Sequence, residues 1–355
     1  MSNDTKLNDH RLVFKGSTLS NYKLTDVKKQ FMNEMVKGNI EPACYWSAEM
    51  VCSGFYQELW ECIIFVASKY IHISNPKIIN YLENRYETFR NIMIQKHYNF
   101  EIELRNNDTI RTMFAEISTV LSLSPKRLCF EPLKIDKAEE FDMSVIKDKL
   151  KAPTTTYAEE IFDKEDPKEL FIAINELAYH LSVSKPNFQD ACYWIEWIIE
   201  FEVICRKRKQ KIKCKRRIVP VENKFQMDCI WLIWEILILY NTKKNKNTES
   251  IMNSLRNLFC IKYGLGTAKK RKHILYFALE LITENVDTNI EIISKKDTVK
   301  KVIEKINAIY KQIKKNEIAP KTDYLFKDVK ENNLENSLKK MNMLENMDFI
   351  PRDND

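Results

Sequence analysis

Glycine is nearly absent from this chain. Five of its 355 residues are glycine, Gly16, Gly38, Gly54, Gly264 and Gly266, and none lies between Phe55 and Tyr263. Average usage of about 7% would give roughly five times as many. A backbone that cradles phosphates or turns tightly against a dinucleotide needs glycine, and neither G-x-x-x-x-G-K-[ST] nor G-x-G-x-x-G occurs. The nearest string, Gly264-Leu265-Gly266-Thr267-Ala268-Lys269, has the wrong spacing. The sequence therefore argues against a nucleotide-hydrolysing engine.

Long apolar runs are missing too. The most apolar stretch, Cys229 to Tyr240 (CIWLIWEILILY), is short and interrupted by Glu235, which suits a buried helix and gives no membrane partner. The opening MSNDTKLNDH has no apolar signal region, and the nine cysteines are odd in number and mostly inside apolar periodic stretches. Reduced thiols in an intracellular protein of the nucleus or cytoplasm are expected. No C-x₂₋₄-C pair links Cys192, Cys205, Cys214 and Cys229, and no histidine lies among them, so no metal and no cofactor are expected. His10, His72, His97, His180 and His273 are isolated. Glu49 beside Trp46 and Glu61 beside Trp60 have no nucleophile in view and read as structural partners for Arg85 or Arg90. No catalytic residue is expected, and the chain does not read as an enzyme.

What remains is ordinary for a folded protein, 44% hydrophobic and 30% charged, with helical periodicity throughout. Val27, Phe31, Met35 and Val36 share a face that ends at Gly38, and Glu41-Pro42 opens a second helix. Further helices are predicted over 57–70, from Asn75-Pro76 to about Gln95, and over 108–123. Prolines and the Thr154-Thr155-Thr156 run mark 125–165 as a linker with one short helix near 143–150. Helices resume from Asp166-Pro167 to Leu181 and over 187–205, 223–240, 248–259, 268–283 and 298–315. No segment alternates long enough for a strand. The expectation is an all-α fold of two helical domains or a duplicated helical bundle: a flexible arm (1–20), a helical domain (21–124), a linker (125–165), a second helical domain (166–317) and a polar tail (318–355).

Duplication is suggested by one echo. Ala43-Cys44-Tyr45-Trp46 returns as Ala191-Cys192-Tyr193-Trp194, each copy followed on its helix by an acid, Glu49 or Glu196. The tryptophans come in helical i, i+3 pairs, Trp194 with Trp197 and Trp231 with Trp234, beside isoleucines and leucines. That placement reads as core packing; a stacking platform for nucleobases would need exposed rings flanked by positive charge.

Charge is the feature that stands out. The net charge is +7, yet the segment Arg206 to Arg217 (RKRKQKIKCKRR) holds nine basic residues and no acid, leaving 48 basic against 50 acidic residues elsewhere. Arg206, Lys207, Arg208, Lys209, Lys211, Lys213, Lys215, Arg216 and Arg217 would repel one another strongly if idle, and phosphates would relieve that repulsion. An import signal and a solvated helix end are the competing readings. Lys269, Lys270, Arg271 and Lys272 form a second, weaker cluster, and Lys243, Lys244 and Lys246 a third.

Residues 29–78 carry a further pattern: Gly38, then Ala43, Tyr45-Trp46, Ala48, Met50-Val51, Gly54, Ala67-Ser68, Ile71 and Asn75-Pro76. It resembles the C-terminal helical region of the RarA/MgsA replication-associated AAA+ ATPases, with one residue fewer between Gly54 and Ala67-Ser68 and without the ATPase module. The resemblance implies a collar-like helical domain that contacts partners at replicating DNA. The Lys-, Asn- and Ile-rich usage, with Tyr70-Ile71-His72-Ile73-Ser74-Asn75-Pro76-Lys77-Ile78, is similar in style to proteins of nucleocytoplasmic large DNA viruses, for which a viral factory would be the location. The expected function is a non-catalytic accessory of DNA replication or repair. It would dock protein partners or self-associate, and contact nucleic acid without sequence preference through the basic segment. The alternative is a structural or assembly protein of a large DNA virus particle.

Overall fold

The computed structural model describes residues 5–95, 100–128, 130, 131, 135, 141, 146–182, 186–210 and 212–318. The fold is all-α, and among these residues no strand occurs. The first half holds α1 (Leu24–Lys37), α2 (Ile40–Cys52), α3 (Tyr56–Val66), α4 (Ile78–Gln95) and α5 (Asp108–Leu123). The second holds α6 (Phe171–Ser182), α7 (Phe188–Lys207), α8 (Ile230–Lys244), α9 (Glu249–Cys260) and α10 (Lys272–Thr283), followed by α11 (Lys296–Lys314).

Local chemistry accounts for several boundaries. α1 buries Val27, Phe31 and Met35 and stops at Gly38, whose φ of 82° lets its own N–H and that of Asn39 turn back to Met35 and Glu34. Asn107 caps α5 by accepting from the Ile110 N–H, and Ser124-Pro125 follows its end. The helix predicted over 57–70 is shorter. After Val66 it passes into a π-helical turn, Ala67–Ile71, where the Ser68 hydroxyl donates to the Ile64 carbonyl and opens the ladder. The helix predicted over 268–283 is also interrupted, because Arg271 leaves the helical path between a single turn, Thr267–Lys270, and α10. Of the short helix predicted near 143–150, residues 143–145 lie outside the described residues, while Ile146 and Lys147 are helical.

Several helix pairings of the first half recur in the second, though α1 also packs on α5 with no matching α6/α10 contact of that extent among the described residues. α1 packs on α2 and α3, as α6 packs on α7 and α8; α2 packs on α3 and α5, as α7 packs on α8 and α10. The α3/α5 and α4/α5 contacts likewise have counterparts in α8/α10 and α9/α10. The repeated Ala-Cys-Tyr-Trp string sits on the corresponding helices α2 and α7. The two acids after it are not equivalent, since Glu49 stands three residues beyond its tryptophan and Glu196 two. Glu49 accepts from the Ser20 N–H and hydroxyl, whereas Glu196 takes the Tyr276 hydroxyl and the Lys272 ammonium.

The halves share one continuous core cluster, from Leu7 to Ile313. α4 lies on α9, with Asn80 bonded to Ser250 and Ser254 and Asn257 to Glu83, and the buried His72 Nδ1 meets Glu280 at 2.7 Å. α11, expected in the second domain, packs instead on α5 and α2. The arm expected to be flexible is docked as well. Leu7 and Leu19 are buried, Asn106 bonds both the N–H and the carbonyl of Leu7, and Arg105 and Arg111 donate to the Asp9 and Thr5 carbonyls. Its backbone groups find partners in the protein, which a loose arm would take from water. The described parts of 125–165 are held on α6, where Asn175 accepts from the Tyr157 amide and Glu176 from the amides of Lys151 and Ala152. Beyond Ile318 the predicted polar tail lies outside the described residues.

Candidate nucleic-acid interface

The basic segment begins as the last turn of α7 and leaves it at Lys209, whose φ of 58° reverses the chain. Cys205 and Cys214 are buried at either side of the reversal. The Cys214 N–H donates to the Met227 carbonyl and the Arg217 N–H to that of Gln226, so the returning strand of chain is tied to the approach to α8. The segment is therefore neither one continuous helix nor a free loop.

Within it, nine similar charges have different fates. Arg217 is buried and is no phosphate contact. Its Nη1 and Nη2 meet the two Asp166 oxygens at 2.5 and 2.8 Å, its Nε meets Glu235 at 3.0 Å, and Nη1 also donates to the Lys215 carbonyl. Burial works to raise the Asp166 carboxyl, but the Arg217 fork and the amides of Asp163 and Lys215 override it and hold the group below its ordinary value. Lys215 pairs with Asp163 at 2.6 Å, and Arg206 with Glu202 at 3.0 Å. Lys211 lies outside the described residues. Lys207, Arg208, Lys209, Lys213 and Arg216 are exposed, and among the described residues no carboxylate pairs with them.

The second cluster reaches the same helix in a different role. Lys269 pairs with Glu200 and Lys272 with Glu196, both on α7, and the buried Arg271 donates to the carbonyls of Phe259 and Ile261. These three charges fasten the single turn before α10 and the start of α10 and are withdrawn as phosphate contacts; Lys270 is exposed. In the third cluster Lys243 pairs with Glu160 at 2.5 Å.

Sequence reasoning missed the acids that do the sorting. Asp166 reads as a helix start and Glu235 as an acid spoiling an apolar run, yet together they hold Arg217. Glu202 was equally silent: burial, with Asp228 nearby and against the pull of Arg206, pushes its carboxyl up to about 7. Trp194, Trp197, Trp231 and Trp234 are buried, as core packing requires. Beside α7 the chain leaves a groove of about 800 Å³ between the aromatic face of that helix and the basic segment, with Lys168 and Arg208 on its lining.

His72, Glu49 and Arg85 have separate partners in Glu280, Ser20 and Glu116. Among the described residues no three His, Cys, Asp or Glu side chains are grouped to hold a metal, and no helix is long and apolar enough to cross a membrane. No protein-family model, curated protein or solved structure matches the chain.

Proposed function

We propose that this chain is a non-catalytic helical nucleic-acid-binding protein, an accessory of DNA replication or repair that holds phosphates with its basic segment while its helical body docks protein partners. The observation that carries the reading is the set Lys207, Arg208, Lys209, Lys213 and Arg216: exposed cations, unpaired with carboxylates among the described residues, on a backbone anchored at Cys205, Cys214 and Arg217. Fixed like charges repel, and polyanion phosphates relieve that repulsion while releasing counterions. Such contacts position a strand without reading its sequence. The replication context rests on the resemblance of residues 29–78 alone.

The test is a triple charge reversal, Lys207→Glu, Arg208→Glu and Lys209→Glu, measured by fluorescence anisotropy with labelled DNA and RNA across a salt series. Affinity should fall at low salt, and the slope of log K against log salt should flatten by roughly 0.7–0.9 for each phosphate no longer neutralised. Unchanged affinity and slope would remove the reading. Nuclease-resistant oligomers in both proteins would then favour a subunit of a virus particle.

A further inference from the structure

We infer that the groove beside α7 is a base-stacking site, so that the ligand of the basic segment is a single strand whose bases enter the groove while its phosphates stay on the rim. This rests on the nucleic-acid reading above and specifies it.

The groove pairs an aromatic floor with a cationic edge. Trp197 and Phe201, one turn apart on α7, stack with ring centroids at 5.1 Å and planes 9° apart. Phe141, from a distant part of the chain, lies on Trp197 at 5.0 Å and 30°. Phe141 also lies on Phe201, at 6.1 Å and 22°, and Trp197 beneath it is buried, so a base would reach this stack through the partly covered rings of Phe141 and Phe201. Phe201 is only partly covered, and Ile204 and Ile212 extend the apolar floor towards the basic segment. On the lining Lys168 and Arg208 outnumber the one carboxylate, Glu169, and the exposed Lys207 and Lys209 flank Arg208. An apolar peptide would be served by the floor alone, and a duplex by the cations alone. Stackable rings beside a positive edge match a ligand that is aromatic and anionic at alternate points along its length. The volume, about 800 Å³, has room for more than one base.

The probes are an oligothymidylate of roughly 15 nucleotides and an abasic phosphodiester strand of equal length. The wild-type protein should bind the thymidylate at least about tenfold more tightly, with quenching of tryptophan fluorescence that the abasic strand does not produce. Phe201→Ala should erase the preference and leave abasic binding unchanged, and Phe201→Trp should keep it. Arg208→Glu should weaken both strands together. Equal binding of the two strands by wild type, or equal losses for both in Phe201→Ala, would overturn the stacking site and leave the phosphate reading standing. Retention of neither strand would overturn both. If Phe201→Ala does not fold, the quenching contrast in wild type decides.

Discussion

Arg217 grips Asp166 with both terminal nitrogens, at 2.5 and 2.8 Å, across 51 residues of sequence. The pair turns the end of a basic run into a buried structural joint, and Glu235 completes it from α8. Removing the guanidinium leaves a buried carboxylate uncompensated. Arg217→Met should therefore cost about 3–5 kcal/mol in urea unfolding, and the Asp166→Asn, Arg217→Met double variant clearly less. The Asp166 carboxyl sits below its ordinary value of 3.8 in the folded protein. Its contribution is therefore complete above that pH and is lost as pH falls through the lowered folded value. Arg217→Met should lack this share of the acid-side loss.

Glu202 behaves in the opposite sense. Burial, first, and Asp228, second, push its carboxyl from 4.5 up to about 7. Between these values the folded protein binds more protons than the unfolded chain, so folding weakens as pH rises. Glu202→Gln should raise the melting temperature at pH 8 and change it little at pH 4; the same gain at both would show that the charge is not responsible.

Tyr310 on α11 is fully buried, and its ring lies 4.1 Å from the Arg111 guanidinium carbon of α5. Tyr310→Ala should cost about 3–5 kcal/mol, the usual range for deleting a large buried aromatic. Hydrogen exchange should rise in α2 and α5, the helices α11 covers; a rise confined to α6–α10 would contradict the packing described.

The scarce glycines make a graded test. Gly16 and Gly54 both have φ of +74°, so alanine at either carries the left-handed cost of about 1–2 kcal/mol. A Cβ on Gly16 would meet nothing within 4 Å, whereas one on Gly54 would lie 3.2 Å from the Ile102 Cα. Gly54→Ala should be the more destabilising of the two in thermal unfolding.

The helices were legible where their signals are local. α5 has its cap, its apolar face and a closing Ser-Pro within one window, and its predicted bounds match those found. The break after Val66 was not legible, because Ser68 turning its hydroxyl onto Ile64 and His72 adopting a φ of 32° leave the apolar periodicity intact. The site divides in the same way. Composition located the basic segment but could not separate Arg216 from Arg217, adjacent and identical in type. What separates them is Asp166, far away in sequence, and nothing in the local pattern points to it. The docked arm was missed for the same reason: its partners Asn106, Arg105 and Arg111 lie about a hundred residues on.

The placement of α11 bears on how the protein is made. α2 and α5 leave the ribosome early, but the helix that covers them ends at Lys314, roughly 190 residues after Leu123. At typical synthesis rates that interval is about 10–40 s. During it the nascent first half carries an open apolar face, and the whole second half must emerge before that face can close.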